Sequence, residues 1–251
     1  MSDTSDLLLS SLASAARLGM GVFSNHRSTK PEKPLELYEF EACPFCRKAR
    51  EAFTTVDLDV MVYPCPKGGT VYRPRVKEMG GKEQFPYLVD PNTGDRMYES
   101  DDIIAYLFEN YGKGNPGLFL KGPLANASSF LASAARPSAG VRVRPSKRPA
   151  KPLELYSFDA SPFSRIVRET LCELEIPYLL HNVGKASVHD WLPPALRSRF
   201  TPNTPFKSEN RRNFVARSGK MQVPYLIDPN TGAEMFESVK IRKYLLDTYA
   251  A

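Results

Sequence analysis

Alternating apolar and polar side chains predict a small set of strands and helices in the first half of the chain. Residues 35–40 alternate in the way expected of a half-buried β-strand. A helix is predicted after residue 43, with Pro44 in its first turn, where the absence of an N–H costs nothing. Further strands are predicted at residues 56–63, 87–89 and 96–98. The Asp-Pro-Asn-Thr-Gly segment at 90–94 predicts a hairpin turn, and residues 100–111 predict a closing helix with one apolar face.

This pattern occurs twice in the chain. Pro-Leu-Glu-Leu-Tyr at residues 34–38 recurs 118 positions later at 152–156. The Pro-Tyr-Leu segment that ends in the hairpin turn recurs 138 positions later, so the second copy carries about 20 extra residues. The order βαβ…ββα predicts the α/β class, with two tandem thioredoxin-fold units. Each unit is expected to be a four-stranded mixed sheet flanked by helices.

Domain boundaries follow from the repeat. We predict an N-terminal lead-in helix within 1–32, a first unit at 33–121, a linker with a second lead-in helix at 122–150, and a second unit at 151–251. Leu-Ala-Ser-Ala-Ala-Arg occurs in both lead-ins, at 12–17 and 131–136. Prolines and basic residues after the second lead-in predict an exposed, extended connector. The first lead-in is interpreted either as the remnant of an organellar presequence or as a plain surface helix.

Composition is that of an ordinary soluble globular protein. The 251 residues are 42% hydrophobic and 25% charged. The net charge of +6 does not by itself predict nucleic-acid binding, because no basic motif interleaved with aromatic residues is present. No apolar run approaches the length of a transmembrane segment. Four cysteines are too few for a disulfide scaffold and favour redox chemistry in a reducing compartment.

Candidate chemistry centres on Cys-Pro-Phe-Cys at residues 43–46. A thiolate is the reactive form of cysteine, and the N-terminus of a helix stabilises a negative sulfur. Cys43 is therefore the predicted nucleophile. Cys46 lies one helical turn further on and is the predicted resolving thiol. Arg47 and Lys48 are expected to add favourable positive charge. A zinc site would need a second pair of ligands at suitable spacing, and we predict no metal.

The Cys-Pro-Phe-Cys motif, the Phe85-Pro86 step and the Glu99-Ser100 step together resemble glutaredoxins and the N-terminal domain of glutathione transferases. The resemblance implies a cis proline at Pro86, backbone binding of glutathione at Phe85, and binding of its γ-glutamyl end at Glu99 and Ser100. The longer pattern looks like a plant and algal group of tandem proteins of this type. That group implies a chloroplast location, and otherwise a soluble reducing compartment is expected.

The resemblance implies a glutathione-linked thiol–disulfide oxidoreductase. Glutathione would be the co-substrate, and protein disulfides or glutathionylated proteins would be the partners. Three alternatives stay open: a glutathione transferase or isomerase, a non-catalytic scaffold or assembly protein, and a protein that bridges an iron–sulfur cluster through Cys43 and glutathione.

Departures from the family pattern refine these expectations. Phe40 and Glu41 stand where glutaredoxins usually carry a lysine, and acidic neighbours are expected to raise the pKa of Cys43. No all-helical transferase domain follows either unit, which favours thiol exchange over conjugation. The second unit has Ser161 and Ser164 in place of the two thiols and is predicted to be redox-inactive. It is expected either to bind glutathione or to pack against the first unit, and its candidate binding residues are Val223, Pro224, Glu237 and Ser238.

Two further cysteines and one insertion complete the candidates. Cys65 is interpreted either as a second redox thiol or as an unreactive loop cysteine. Cys172 is predicted to be a core residue, and His181 is predicted to be ordinary. The basic insertion at 187–219 is interpreted as a docking loop for an acidic partner or an anionic membrane surface, or as a solvated loop, which is favoured.

Overall fold

A computed structural model describes residues 3–17, 19–24, 28–192, 196, 199 and 204–251 of the chain. Within the predicted basic insertion, the residues outside the described part are 193–195, 197, 198 and 200–203. Within the described part, no helix is both long enough and apolar enough to cross a membrane.

The first half begins with a helix and continues with an α/β unit. Its elements are α1 (Asp3–Ala15), β1 (Leu35–Glu39), α2 (Pro44–Thr55), β2 (Val60–Pro64), α3 (Tyr72–Gly80), β3 (Tyr87–Val89), β4 (Arg96–Met97) and α4 (Ser100–Asn110). The strand predicted at 56–63 begins four residues late, so that prediction was wrong at its start. Val56 instead ends α2, and Asp57 adopts a left-handed conformation with φ of 54° that turns the chain towards β2.

The second half repeats this order after one more helix. Its elements are α5 (Pro123–Ala134), β5 (Leu153–Ser157), α6 (Pro162–Glu173), β6 (Tyr178–Asn182), a 3-10 turn (Val188–Trp191), α7 (Glu209–Ser218), β7 (Tyr225–Asp228), β8 (Ala233–Phe236) and α8 (Ser238–Tyr249). Helix α7 occupies the last third of the predicted basic insertion. Its Phe214 is buried in the second unit's core, so this part of the insertion is packed helix and the favoured interpretation as a solvated loop was wrong there.

Within the described residues, eight strands form one mixed sheet in the order β4-β3-β1-β2-β6-β5-β7-β8. Each half is the four-stranded arrangement predicted from the repeat, which confirms the α/β class with two tandem thioredoxin-fold units. The units join where β2 and β6 pair antiparallel, with Met61 opposite Leu179. Since Met61 and Leu179 occupy the same position in the two repeats, the pairing is two-fold symmetric. Both units therefore bury an edge strand that would otherwise expose unpaired backbone groups.

The two lead-in helices are exchanged between the units. Helix α1 precedes the first unit but packs on α6 of the second, where the Ser10 hydroxyl donates to the carbonyl of Pro162 at 2.7 Å. Helix α5 packs on α2 of the first unit, and Ser129 donates to the carbonyl of Pro44 at 2.6 Å. Each serine thus fixes the first turn of the helix that follows the active-site motif or its copy.

A layer of buried charged side chains crosses the junction between the units. Arg50 of α2 contacts Glu39 in its own unit and Asp159 in the second unit, the latter at 2.8 Å. Arg168 of α6 contacts Glu41 in the first unit at 3.0 Å. Burial of these groups without partners would be very costly, so the reciprocal pairs orient one unit on the other.

The repeated hairpin turn is also structural. Asp90 accepts hydrogen bonds from Tyr111 and from the backbone N–H of Asn92, the latter at 2.8 Å. Asp228 is held in the same way by Tyr249 at 2.5 Å and by Asn230. These hydrogen bonds lower the pKa of both aspartates against the opposing effect of burial. Each turn is therefore tied to the closing helix of its unit.

Candidate active site at the first helix of the first unit

Cys43 is the N-terminal cap of α2. Its backbone is extended (φ −69°, ψ 124°), and its Sγ accepts the backbone N–H of Cys46 at 3.3 Å. Pro44 follows in the first turn, where the helix needs no amide donor. The side chain is 5% exposed, and Cys46 is fully buried behind it. The two cysteines are therefore brought together as predicted, with Cys43 on the solvent side.

The surroundings give the two thiols opposite proton affinities. A hydrogen bond from the Cys46 thiol is the largest effect that lowers the pKa of Cys43, and the backbone N–H groups of Cys46 and Phe45 lower it further against burial. Burial, followed by the interaction with Cys43, raises the pKa of Cys46 well above its ordinary value. This arrangement favours a thiolate at Cys43 and a neutral thiol at Cys46.

Glu39, one of the acidic residues before the motif, acts in the predicted direction and raises the pKa of Cys43, but it does not dominate that pKa. Glu39 still opposes the thiolate, but its effect is smaller than the hydrogen bonds just described. The reason is that Glu39 pairs with Arg50, and Glu41 pairs with Arg168 from the second unit. Lys48, predicted to add positive charge near the thiol, is bound instead to Asp101 and Asn126.

The Phe85–Pro86 step lies next to the nucleophile, and its peptide bond is cis. The carbonyl oxygen of Phe85 is 4.0 Å from the Cys43 Sγ. The ring of Phe85 meets the ring of Phe40 edge-on, with 6.3 Å between the centroids. Phe40 and Phe85, from two distant segments, therefore form an aromatic wall beside the thiol.

A cation that sequence reasoning missed stands at this wall. The guanidinium of Arg73, in α3, lies 4.7 Å from the centroid of the Phe85 ring and 5.9 Å from that of Phe40. Its Nε donates to the carbonyl of Pro66 at 2.7 Å, which fixes its position. Arg73 thus supplies positive charge beside Phe40. Phe40 occupies one of the two sequence positions at which glutaredoxins usually carry a lysine. Arg73 belongs to no recognisable motif in the sequence, and the helix that carries it, α3, was not predicted.

Glu99 and Ser100 lie at the N-terminus of α4. Glu99 is the cap residue with φ of 62°, and its exposed carboxylate accepts a hydrogen bond from the Gln84 amide, next to Phe85. Ser100 is 5% exposed. The Gln84 contact ties the predicted γ-glutamyl site to the Phe85 wall, so the candidate glutathione residues and Cys43 belong to neighbouring segments. Their role in binding stays a prediction.

The second unit reproduces the geometry without the thiols. Ser161 caps α6, and its Oγ accepts from the Ser164 backbone at 3.3 Å and from the Ser164 hydroxyl at 2.9 Å. The Val223–Pro224 bond is cis. Glu237 caps the closing helix with φ of 73°, and Ser238 is buried. The backbone of the site is kept, but neither hydroxyl can exchange with a disulfide.

The other cysteines differ from Cys43. Cys65 and Cys172 are both buried, and burial raises the pKa of each thiol well above its ordinary value. Cys172 is a core residue, as predicted. A redox role for Cys65 stays a prediction, and its burial weighs against it. Within the described residues, no group of three or more His, Cys, Asp and Glu side chains is placed to hold a metal ion.

His181, for which the spacing in the sequence suggested neither a metal site nor a triad, lies between two carboxylates. Its two ring nitrogens lie 2.7 Å from Asp59 of the first unit and 3.2 Å from Glu154 of the second. These carboxylates outweigh burial and raise the pKa of His181 to about 9. The histidine therefore bridges the units as a cation. The spacing of residues in the sequence does not indicate this ion pair, because Asp59 and His181 are brought together by the pairing of β2 with β6.

Comparison with known proteins gives a family match over both repeat units. The family model for the glutathione S-transferase N-terminal domain matches residues 37–116 and 155–251. A solved structure, that of the Bombyx mori glutathione transferase BmGSTD1, is similar at 26% identity with a TM-score of 0.31. The match covers 39% of this chain, and the chain spans 45% of the length of that transferase. No curated protein matches the chain.

Proposed function

Since the chain belongs to the glutathione S-transferase N-terminal domain family, we propose that its first unit is a glutathione-linked thiol–disulfide oxidoreductase. The observation that carries the proposal is the pairing of a low-pKa Cys43 with a neutral, buried Cys46 beside the cis Phe85–Pro86 step. A transferase that only activates glutathione has no need of a second thiol in hydrogen-bonding reach of the first. A dithiol of this kind is suited to disulfide exchange.

In the proposed reaction the Cys43 thiolate attacks the glutathionyl sulfur of a glutathionylated protein. A Cys43–glutathione disulfide forms, the original S–S bond breaks, and the target protein leaves as a thiolate. A second glutathione thiolate then attacks the glutathionyl sulfur, which releases glutathione disulfide and regenerates the Cys43 thiolate. With a protein disulfide, the Cys43 thiolate forms a mixed disulfide and one protein thiolate leaves. Cys46 then gives up its proton and attacks the Cys43 sulfur, which releases the second protein thiolate and leaves a Cys43–Cys46 disulfide. Two glutathione molecules reduce this disulfide and leave as glutathione disulfide.

Glutathione is proposed to lie along the wall formed by Phe85, with its γ-glutamyl end towards Glu99 and Ser100. A carboxylate at the N-terminus of α4 would meet free N–H groups, and the Glu99 carboxylate would meet the ligand ammonium. Arg73 supports the opposite end, because its guanidinium lies over the Phe85 ring and its side chain, which also pairs with Glu83 at 3.4 Å, is 16% exposed. A carboxylate of the ligand would find a charged donor there.

Turnover of a glutathionylated peptide, coupled to glutathione reductase and reduced nicotinamide cofactor, tests the proposal. We expect Cys43→Ser to abolish turnover and Ser161→Ala, its matched control in the second unit, to retain it. Arg73→Gln is expected to raise the KM for glutathione about tenfold, the effect of losing one hydrogen bond to a charged group. Absence of turnover in the unmodified protein, or full activity in Cys43→Ser, would overturn the proposal.

A further inference from the structure

The basic connector that follows α5 forms one side of a cleft, and the loop after β2 forms the other. The two segments are joined by backbone hydrogen bonds. The N–H of Lys67 donates to the carbonyl of Val141 at 2.7 Å, and the N–H of Val143 donates to the carbonyl of Lys67 at 3.0 Å. The cleft has a volume of about 530 Å³, which is within the range of small-molecule sites. Its walls are therefore held in place without a ligand.

Three cations and one carboxylate line this cleft. Lys67 and Arg142 are the two partners of a parallel bridge, so their side chains are neighbours. Arg144 pairs with Glu173 at 2.7 Å, and Glu173 also accepts the backbone N–H of Gly140 at 2.9 Å. In the described part of the chain, neither Lys67 nor Arg142 forms an ion pair with a carboxylate. Two adjacent positive charges are thus left uncompensated in the cleft.

The other repeat shows that the fold does not require the second of these cations. Lys185 occupies the position of Lys67 and forms the same parallel bridge, but its partner is Phe23 in place of Arg142. The backbone contact is equivalent, because the N–H of Lys185 donates to the carbonyl of Val22 at 2.7 Å. An uncharged side chain therefore suffices at this bridge. Like charges at neighbouring positions repel, and a bound anion would offset the repulsion between Lys67 and Arg142.

We propose that this cleft binds the phosphate group of a small phosphate monoester, with Lys67 and Arg142 as its two charged donors. Such a phosphate is close to a dianion at neutral pH, which matches the two charges that remain once Arg144 has paired with Glu173. A guanidinium can donate two parallel hydrogen bonds to phosphate oxygens, and an ammonium adds a point charge. The cleft is larger than a phosphate, and Val141 and Val143 also line it, so the carbon part of the ester has an apolar surface to contact.

Isothermal titration calorimetry of the full chain with phenyl phosphate tests the inference. We expect saturable binding that Arg142→Gln weakens about tenfold, because a charge-assisted hydrogen bond is lost. Lys67→Gln is expected to weaken it similarly, and Arg142→Lys to restore most of it. The matched control is Lys147→Gln, which removes an exposed cation of the same connector that does not line the cleft, and its affinity is expected to be unchanged. Circular dichroism checks that each variant is folded.

Two further ligands define the chemistry of the site. Phenyl sulfate has the same shape with a single negative charge and is expected to bind at least about tenfold more weakly. Inorganic phosphate is expected to bind more weakly than the ester, because it makes no apolar contact. The inference is overturned by the absence of saturable binding, by equal affinity for phenyl sulfate, by tighter binding of inorganic phosphate, or by an equal loss in Lys147→Gln. Binding of a phosphoserine peptide without binding of phenyl phosphate also overturns it. The titration needs no turnover at Cys43, so this inference and the proposed function fail separately.

Discussion

The hydrogen bond between the two cysteines of the first unit is expected to control the reactivity of the nucleophile. Replacing Cys46 by Ala removes the thiol donor that is the largest cause of the lowered pKa of Cys43. Cys46 is fully buried, so the substitution removes one sulfur from the interior and exposes no new surface. The effect is therefore expected at Cys43 itself.

The size of the effect follows from the strength of the lost contact. A hydrogen bond to a charged group contributes about 1.5–3 kcal/mol, and one pKa unit corresponds to ~1.4 kcal/mol. The backbone N–H groups of Cys46 and Phe45 remain and continue to stabilise the thiolate. We therefore expect the pKa of Cys43 to rise by about one unit, the lower end of that range.

The assay is the rate of alkylation of Cys43 by iodoacetamide as a function of pH, read by mass spectrometry of the Cys43 peptide. Cys65 and Cys172 are buried with raised pKa values and are expected to react slowly, so the Cys43 signal is resolved from theirs. Cys46→Ser keeps a hydroxyl donor and is expected to give a smaller shift. An unchanged profile in Cys46→Ala would refute the reasoning and assign the low pKa to the helix N-terminus alone.

Two further predictions concern the junction between the units. Arg168→Met leaves Glu41 with fewer partners in the buried charged layer. We expect the free energy of unfolding, measured by urea titration, to fall by about 3–5 kcal/mol. A loss below about 1 kcal/mol would show that Arg50 alone is a sufficient partner for Glu41. The pKa of His181 is raised from 6.5 to about 9, so its stabilising contribution is complete below pH 6.5 and is lost as the pH rises through 9. This contribution of His181 amounts to at most about 3 kcal/mol. His181→Gln is expected to flatten the dependence of thermal stability on pH between 6.5 and 9. An unchanged dependence would contradict the ion pairs of His181 with Asp59 and Glu154.

Much of each unit was predictable because its signals are local. The alternation at 35–40 marks a strand, and Pro44 after Cys43 marks a helix start, whatever the rest of the chain does. Helices α3 and α7 were not predicted, because each contains few apolar residues. Of the nine residues in α3, only Val76 is buried, and α7 buries Phe214 and Arg211. Their packing partners, and not their own periodicity, keep them helical.

Only those residues of the site that belong to the repeated motifs could be predicted from the sequence. Cys43, Cys46, Phe85 and Pro86 are marked by motifs, and the structure places Cys46 and the Phe85–Pro86 step next to Cys43. Arg73 lies in a segment without a motif, and its position beside Cys43 depends on its contact with the Phe85 ring from elsewhere in the chain. Proximity of this kind depends on the path of the chain between the segments.

The sequence by itself determined that there are two thioredoxin-fold units and that only the first has a dithiol, because short-range patterns and an internal copy encode both. Only the tertiary structure decided how the units meet: β2 pairs with β6, the lead-in helices exchange, and Arg168 neutralises Glu41 across the junction. The physical reason is that edge pairing and charge compensation are set by distances between residues far apart in the chain. That compensation leaves the hydrogen bond from Cys46 as the main influence on the pKa of Cys43.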